Sequence, residues 1–343
     1  MSIVQETVFV GLDYHAQSVQ VCVLDRQGKL LMNQSCANDW RAVRGAVSRR
    51  CGKETAVQAA IESCCGAANL ADELIAEAGW SVDLAHPGYV ARMKQSPDKT
   101  DYGDARVLAD LERVGYLPRV WLAPEEVREL RRLVRYRQTL VREQRTLKLR
   151  IGGALREARQ RVPEEYNPWT KAWVAWIQNI ATLSPNARLV VERQLARLAQ
   201  LRQEIREVEA ILAEQTANDP LVQKLLEQPG IGLITAATIR AEIGRFDRFR
   251  SGKQLARFCG LSPRNASSGT RQADAGLIKA GNRELRTVLI EAAHRLMRYD
   301  ERWLKLNHQL RHRGKPGSVV AAAVANRWVR RLFHQMQPAS LAA

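Results

Sequence analysis

Thr7-Val-Phe-Val-Gly-Leu-Asp13 is an apolar run closed by a carboxylate, and its reading decides the first third of the chain. A continuous apolar run of this length reads as a buried strand. A second such run, Ala56-Val-Gln-Ala-Ala-Ile-Glu62, also ends on an acid. Two further acids stand in Lys99-Thr-Asp-Tyr-Gly-Asp-Ala105, where a spacing of three places Asp101 and Asp104 on one helix face. Carboxylates at the ends of neighbouring strands, met by two more at a helix start, repel one another. Divalent cations relieve that repulsion, and Mg²⁺ takes all-oxygen ligands. Asp13, Glu62, Asp101 and Asp104 thus outline a metal-dependent phosphodiester site.

The segments around these acids read as α/β. Strands are expected at Val8–Leu12, Val19–Leu24 and Lys29–Ser35, with Asp25-Arg-Gln-Gly28 turning the last two into a hairpin. A helix near Asp39–Cys51 leads to the Glu62 strand. Another near Ala67–Ala78 leads to a strand at Ser81–Ala85, which His86-Pro87 stops. Three strands in meander followed by alternation with helices is the order of an RNase H-like fold.

The chain has 343 residues, with 53 lysines and arginines against 36 acids, for a formal charge of +17. Residues 1–123 carry 13 basic and 15 acidic side chains, so the whole excess falls in the remainder. An acidic cluster in a near-neutral part, followed by a basic body, suggests a catalytic unit joined to a polyanion grip. Six cysteines lack a C-x-x-C pair or a histidine spacing, which argues against a zinc site. The start of the chain has no signal-peptide pattern, and no stretch approaches the roughly 18 apolar residues of a membrane span. The chain is expected in the cytosol, associated with the nucleoid, away from membranes.

Pro124-Glu-Glu opens a long helix that runs beyond Leu149. Leu133, Leu140 and Leu147 recur every seven residues while arginines fill the other faces. Trp169, Trp173 and Trp176 predict one face of a second helix. A third helix from Ser184-Pro185 carries Val191, Leu195, Leu198, Ile205, Val208 and Leu212 at steps mostly of three and four, a coiled-coil seam. The two long helices either pack together within the chain or form an arm that dimerises or lies along nucleic acid. Asn218-Asp-Pro220 begins a third region. Its Pro229-Gly-Ile-Gly232 turn has the form of a helix-hairpin-helix, in which Gly230 and Gly232 let backbone N–H groups approach a phosphate. The domain boundaries are therefore expected at 1–123, 124–218 and 219–343.

A polar loop follows in Gly260-Leu-Ser-Pro-Arg-Asn-Ala-Ser-Ser-Gly-Thr-Arg271, ahead of Gly276-Leu-Ile-Lys-Ala-Gly-Asn282 and a helix. A serine hydroxyl here, flanked by Arg264, Arg271, Lys279, Arg283 and Arg286, could attack phosphorus while the cations stabilise charge on the phosphoryl oxygens. On these grounds alone an inert loop is the better reading, since Ser-Ser-Gly is common and no histidine base lies nearby.

The set Gly11-Leu-Asp13, Ile61-Glu62, Lys99 to Ala105, Pro229 to Gly232, Ser267-Ser-Gly269 and Ile278-Lys-Ala-Gly-Asn282 resembles the DEDD transposases of one bacterial insertion-sequence family. These are bridge-RNA-guided recombinases. The likeness runs over roughly residues 7–335 with its motifs in order. It implies a RuvC-like catalytic domain at 1–123, a basic coiled-coil segment at 124–218 and a mainly helical transposase domain at 219–343. It carries the tetrad onto Asp13, Glu62, Asp101 and Asp104, with Mg²⁺ as cofactor, and the nucleophile onto Ser268. It also implies donor DNA, target DNA, a guide RNA and a dimer or tetramer as partners. After Glu62 the family has Thr-Gly, whereas this chain has Ser63-Cys-Cys-Gly66. Two other readings use the same residues. A Holliday-junction resolvase-like nuclease would use the tetrad with water as nucleophile, and a non-catalytic nucleic-acid scaffold would use only the basic body.

Overall fold

The computed structural model describes residues 7–52, 55–93, 100–179, 181–265, 274–278 and 281–337. The chain divides into two compact units, residues 1–123 and 124–343.

The first unit is a six-stranded sheet with helices on both faces. It runs β1 (Thr7–Tyr14), β2 (Ser18–Leu24), β3 (Leu30–Ala37), α1 (Trp40–Cys51), β4 (Ala56–Glu62), α2 (Ala67–Ala78), β5 (Ser81–Ala85), α3 (Pro87–Met93), α4 (Asp101–Arg113) and β6 (Arg119–Val120). The strand order is β3-β2-β1-β4-β5-β6. β1 to β3 are antiparallel neighbours, while β1, β4 and β5 are parallel. This mixed α/β sheet is consistent with an RNase H-like domain, and it follows from the alternation of the strand runs. On β1, Val8, Val10 and Leu12 pack with Ile61, Val43, Leu70 and Leu74 beneath α1 and α2. The alternate face, bearing Gly11, lies beneath α4. A Cβ at Gly11 would overlap the carbonyl oxygen of Ala105 and lie 2.6 Å from the Ala109 backbone nitrogen. Only glycine lets α4 rest directly on the central strand.

The second unit is helical apart from one short strand pair. It contains α5 (Glu125–Glu157), α6 (Lys171–Asn179), α7 (Pro185–Thr216), α8 (Pro220–Leu226), α9 (Leu233–Ile243), α10 (Gly252–Phe258), β7 (Pro263–Asn265), β8 (Asp274–Leu277), α11 (Arg283–Tyr299), α12 (Glu301–His312) and α13 (Gly317–Gln335). α5 and α7 pack together within the chain and bury Leu130, Leu140, Leu147, Leu195, Leu198 and Leu212. Their direction is antiparallel, since Arg137 meets Glu209 at 2.7 Å while Arg197 meets Glu143 at 3.8 Å. Seams of three- and four-residue steps thus close on each other, as the packing reading expects.

One sequence reading needs correction. Trp169 lies outside α6, with a φ of 73°. Its carbonyl accepts from Arg202 at 3.0 Å, and the Thr170 hydroxyl after it accepts from the Trp173 amide at the helix start. Trp173 and Trp176 are buried in the α5–α7 core, and Trp169 is partly buried against it. β5 ends at Ala85, ahead of His86-Pro87 as expected, and Pro87 starts α3, a position that suits a residue lacking an N–H. Among the described residues, no helix is long and apolar enough to cross a membrane.

Candidate active site

Asp13 and Glu62 reach the same edge of the sheet because β1 and β4 are parallel and in register. Leu12 stands beside Ile61, so the next residue of each strand is an acid. Strand alternation turns both acids to the face that carries Gly11 and Ala60, where α4 lies.

α4 brings the other two. The Thr100 hydroxyl caps its first turn by accepting from the Gly103 amide at 3.1 Å. Asp101 and Asp104 occupy that turn, where the helix dipole favours anions. Asp104 is buried and Asp101 exposed. The turn is also tied to the sheet. Asn33 on β3 donates to the Tyr102 carbonyl at 2.9 Å and accepts from Gln20 on β2 at 2.7 Å. Gln20 is the cross-strand partner of Asp13. A short polar chain therefore joins the strand pair under Asp13 to the turn that presents Asp101 and Asp104.

His15, two residues after Asp13, places its Nε2 3.3 Å from Asp13 Oδ2 and 3.2 Å from Asp101 Oδ2. Its place two residues after Asp13 sets it near that acid in sequence, and the contact with Asp101 forms where α4 folds over β1. Ligand atoms of Asp13, His15 and Asp101 lie within 4.8 Å of one another. Burial pushes the Asp13 carboxyl above its ordinary range; His15 opposes this, and the nearby Asp104 and Asp101 add to it. A partly buried acid with acidic neighbours and a histidine beside it gathers oxygen and nitrogen donors around one point. A divalent cation would supply positive charge among these acids, so the residues fit one.

Downstream of Glu62, the glycine that the family places directly after a threonine falls here at Gly66. It starts α2 with a φ of 93° and packs against the Tyr14 ring beyond β1. The turn leaving Glu62 is thereby held by contact with the strand of Asp13.

In the second unit the residues singled out in the sequence separate. Ser267, Ser268, Arg271 and Lys279 lie outside the described residues. The backbone around them is anchored by β7 and β8, and by the Ile278 amide donating to the Ser262 carbonyl at 2.9 Å. A Cβ on Gly281 would stand 2.5 Å from the Gly260 Cα, so two glycines bring the segment after β8 against the end of α10. Asn282 then caps α11, accepting from the Glu284 and Leu285 amides. Arg264 and Arg283 are exposed, whereas Arg286 turns inward and donates to the Ile278 carbonyl at 3.3 Å. Gly230 takes a φ of 76° against Arg295 of α11, and Gly232 starts α9 with no side-chain cap.

A sheet of this order with acids at its parallel strand ends, joined to a basic helical unit, is consistent with a DEDD-type nucleic-acid enzyme. Residues 10–159 match a transposase family model of the DEDD IS110 type, and residues 222–309 match the model for the transposase IS116/IS110/IS902 family. The chain is 30% identical to the transposase of insertion sequence element IS1328 from Yersinia enterocolitica, covering 79% of this chain and 81% of that protein. It is 26% identical to the transposase of IS1111A from Coxiella burnetii, over 92% and 86% of the two chains. A probable family 20 transposase of Pseudomonas aeruginosa is 27% identical, over 94% and 95%. The chain belongs to the IS110/IS116/IS902 family of insertion-sequence transposases, enzymes of DNA strand transfer.

Proposed function

We propose that this transposase is an RNA-guided recombinase in which Asp13, Glu62, Asp101 and Asp104 hold Mg²⁺ and Ser268 is the nucleophile. The observation that carries the reading is the meeting of the β1 end with the first turn of α4, which brings Asp13, Asp101 and Asp104 within electrostatic reach of one another. Such a charge arrangement has no structural use that a neutral pair could not serve better. A divalent cation would relieve the mutual repulsion of these acids.

When bound, the ions would polarise the phosphoryl oxygens and stabilise the attacking and leaving oxygens. The protein's own groups do the remainder. Ser268 Oγ attacks the phosphorus of one DNA strand, forming a phosphoserine ester and breaking the bond to a deoxyribose oxygen, which leaves as a hydroxyl. That hydroxyl can later attack the phosphoserine of another strand and return the serine. In this division the segment 1–123 is the catalytic domain, 124–218 a basic helical segment, and 219–343 the domain that carries the serine. Gly230 and Gly232, with the cations Arg264, Arg271, Lys279, Arg283 and Arg286, would hold phosphates. A guide RNA would read donor and target DNA by base pairing, leaving the protein to grip backbone and shape. The working unit would be a dimer or tetramer.

Incubation with cognate DNA, guide RNA and Mg²⁺ should give a covalent protein–DNA adduct on a denaturing gel. The adduct should vanish in Ser268→Ala and persist in Ser267→Ala. An adduct of wild-type yield in Ser268→Ala would remove that serine from the reaction. Cleavage without any adduct would favour the resolvase-like reading, with water as nucleophile.

A further inference from the structure

On the outward face of α13, Arg327, Arg330, Arg331 and His334 follow steps of three and four, so they form one stripe. The opposite face, with Val324, Trp328 and Leu332, is buried in the core, which fixes the direction of the stripe. Facing it across a hollow of about 800 Å³ is the start of α12, where buried Trp303 anchors the wall and Arg302 lies over its ring with Cζ 5.4 Å from the centroid. Among the described residues, no acid lines this hollow. The acid beside Arg302, Glu301, is held by Lys305 at 2.6 Å. Among the described residues, Arg302, Arg327, Arg330 and Arg331 have no carboxylate partner. Arginines at i, i+3 and i+4 repel one another, and a polyanion laid along the stripe would relieve that repulsion.

The hollow does not end there. Arg327 and Arg330 also line a second depression, whose far wall is Pro263 of β7 and Leu277 of β8. The two strands flank the segment that contains Ser268 in sequence. A stripe of guanidiniums therefore runs from the base of that segment along α13 to α12. Guanidinium forks match phosphate oxygens two at a time.

We propose that this cleft between α12 and α13 is a phosphodiester-backbone site for the DNA flanking the scissile phosphate. The proposal rests on the reading that the segment between β7 and β8 carries the nucleophile, which is why the occupant is the cut DNA and not the guide. Most of the stripe lies beyond residue 309, where the match to the IS116/IS110/IS902 model ends.

The test uses the full chain and two labelled probes, a 20-base-pair DNA duplex of an element end and an RNA hairpin of equal length. Binding is measured across a salt series for wild type, Arg327→Gln/Arg331→Gln, the charge-restoring Arg327→Lys/Arg331→Lys, and a control, Arg41→Gln/Arg44→Gln on α1. The glutamine pair should weaken DNA binding at least 10-fold at low salt and flatten the log–log salt slope by about 1.8, since each phosphate contact contributes about 0.9. The lysine pair should restore the slope, and the control should keep it. An unchanged DNA slope in the glutamine pair overturns the proposal, as does a loss confined to the RNA probe. The adduct assay separates the two readings. Wild-type adduct with an unchanged slope removes the cleft alone, whereas a flattened slope with no wild-type adduct keeps the cleft and removes the serine.

Discussion

Gly11 is the residue on which the geometry of the site turns. Its missing side chain lets Ala105 and Ala109 of α4 touch the backbone of β1, and that contact sets the height of Asp101 and Asp104 above Asp13. Gly11→Ala forces a methyl group into peptide atoms that cannot yield. It should cost about 3 kcal/mol, the upper range for overpacking, read as a lower midpoint in urea unfolding. A variant of wild-type stability would mean that α4 does not sit on the strand as described. The acids themselves could be read from the sequence because each closes an apolar run or opens a helix. Asn33 could not, since what matters about it is a partner far away in the chain, the Tyr102 carbonyl; for His15 the nearness to Asp13 is legible and the contact with Asp101 is not.

Among the elements, the hairpin of β1 and β2 with β3, the parallel addition of β4 and β5, and the long helices α5 and α7 all follow from local pattern. Period two and period 3.6 are strong over such lengths. The short pieces do not. β7 and β8 span a few residues each, and their pairing depends on the approach of Gly260 to Gly281, which no periodicity encodes. Two predictions belong here. The Gln20–Asn33–Tyr102 chain orients the first turn of α4 without touching any reacting group. Asn33→Ala should therefore leave the unfolding midpoint nearly unchanged while weakening Mn²⁺ binding, measured by calorimetry, by about 10-fold. Equal metal affinity in the variant would show the turn to be fixed by α4 packing alone. In the second unit, Glu242 on α9 is buried and receives Arg135 at 2.8 and 3.0 Å, with Arg131 at 3.7 Å. Glu242→Ala leaves Arg131 largely buried without its carboxylate and should cost about 3 kcal/mol in thermal or denaturant unfolding. A negligible loss would mean that the pair is held open to water.

For the molecule as a whole, the charge division is the feature that sequence and structure share. Residues 1–123, with more acids than bases, hold the carboxylate cluster, and the basic remainder holds the α13 stripe. A nuclease acting alone would need the first unit; a DNA-binding scaffold would need the second. Their presence in one chain is what a strand-transfer enzyme requires. The account stands on the claim that the cluster serves chemistry and not folding or grip. Cleavage of an element-end duplex, followed beside its binding in the same samples, tests this directly with Asp104→Asn, a change that keeps size and removes charge. Cleavage should fall at least 100-fold with binding within about twofold of wild type, the pattern expected when an electrostatic contribution to the transition state is lost. Parallel loss of cleavage and binding, or cleavage at the wild-type rate, would contradict the assignment of these acids as the catalytic centre.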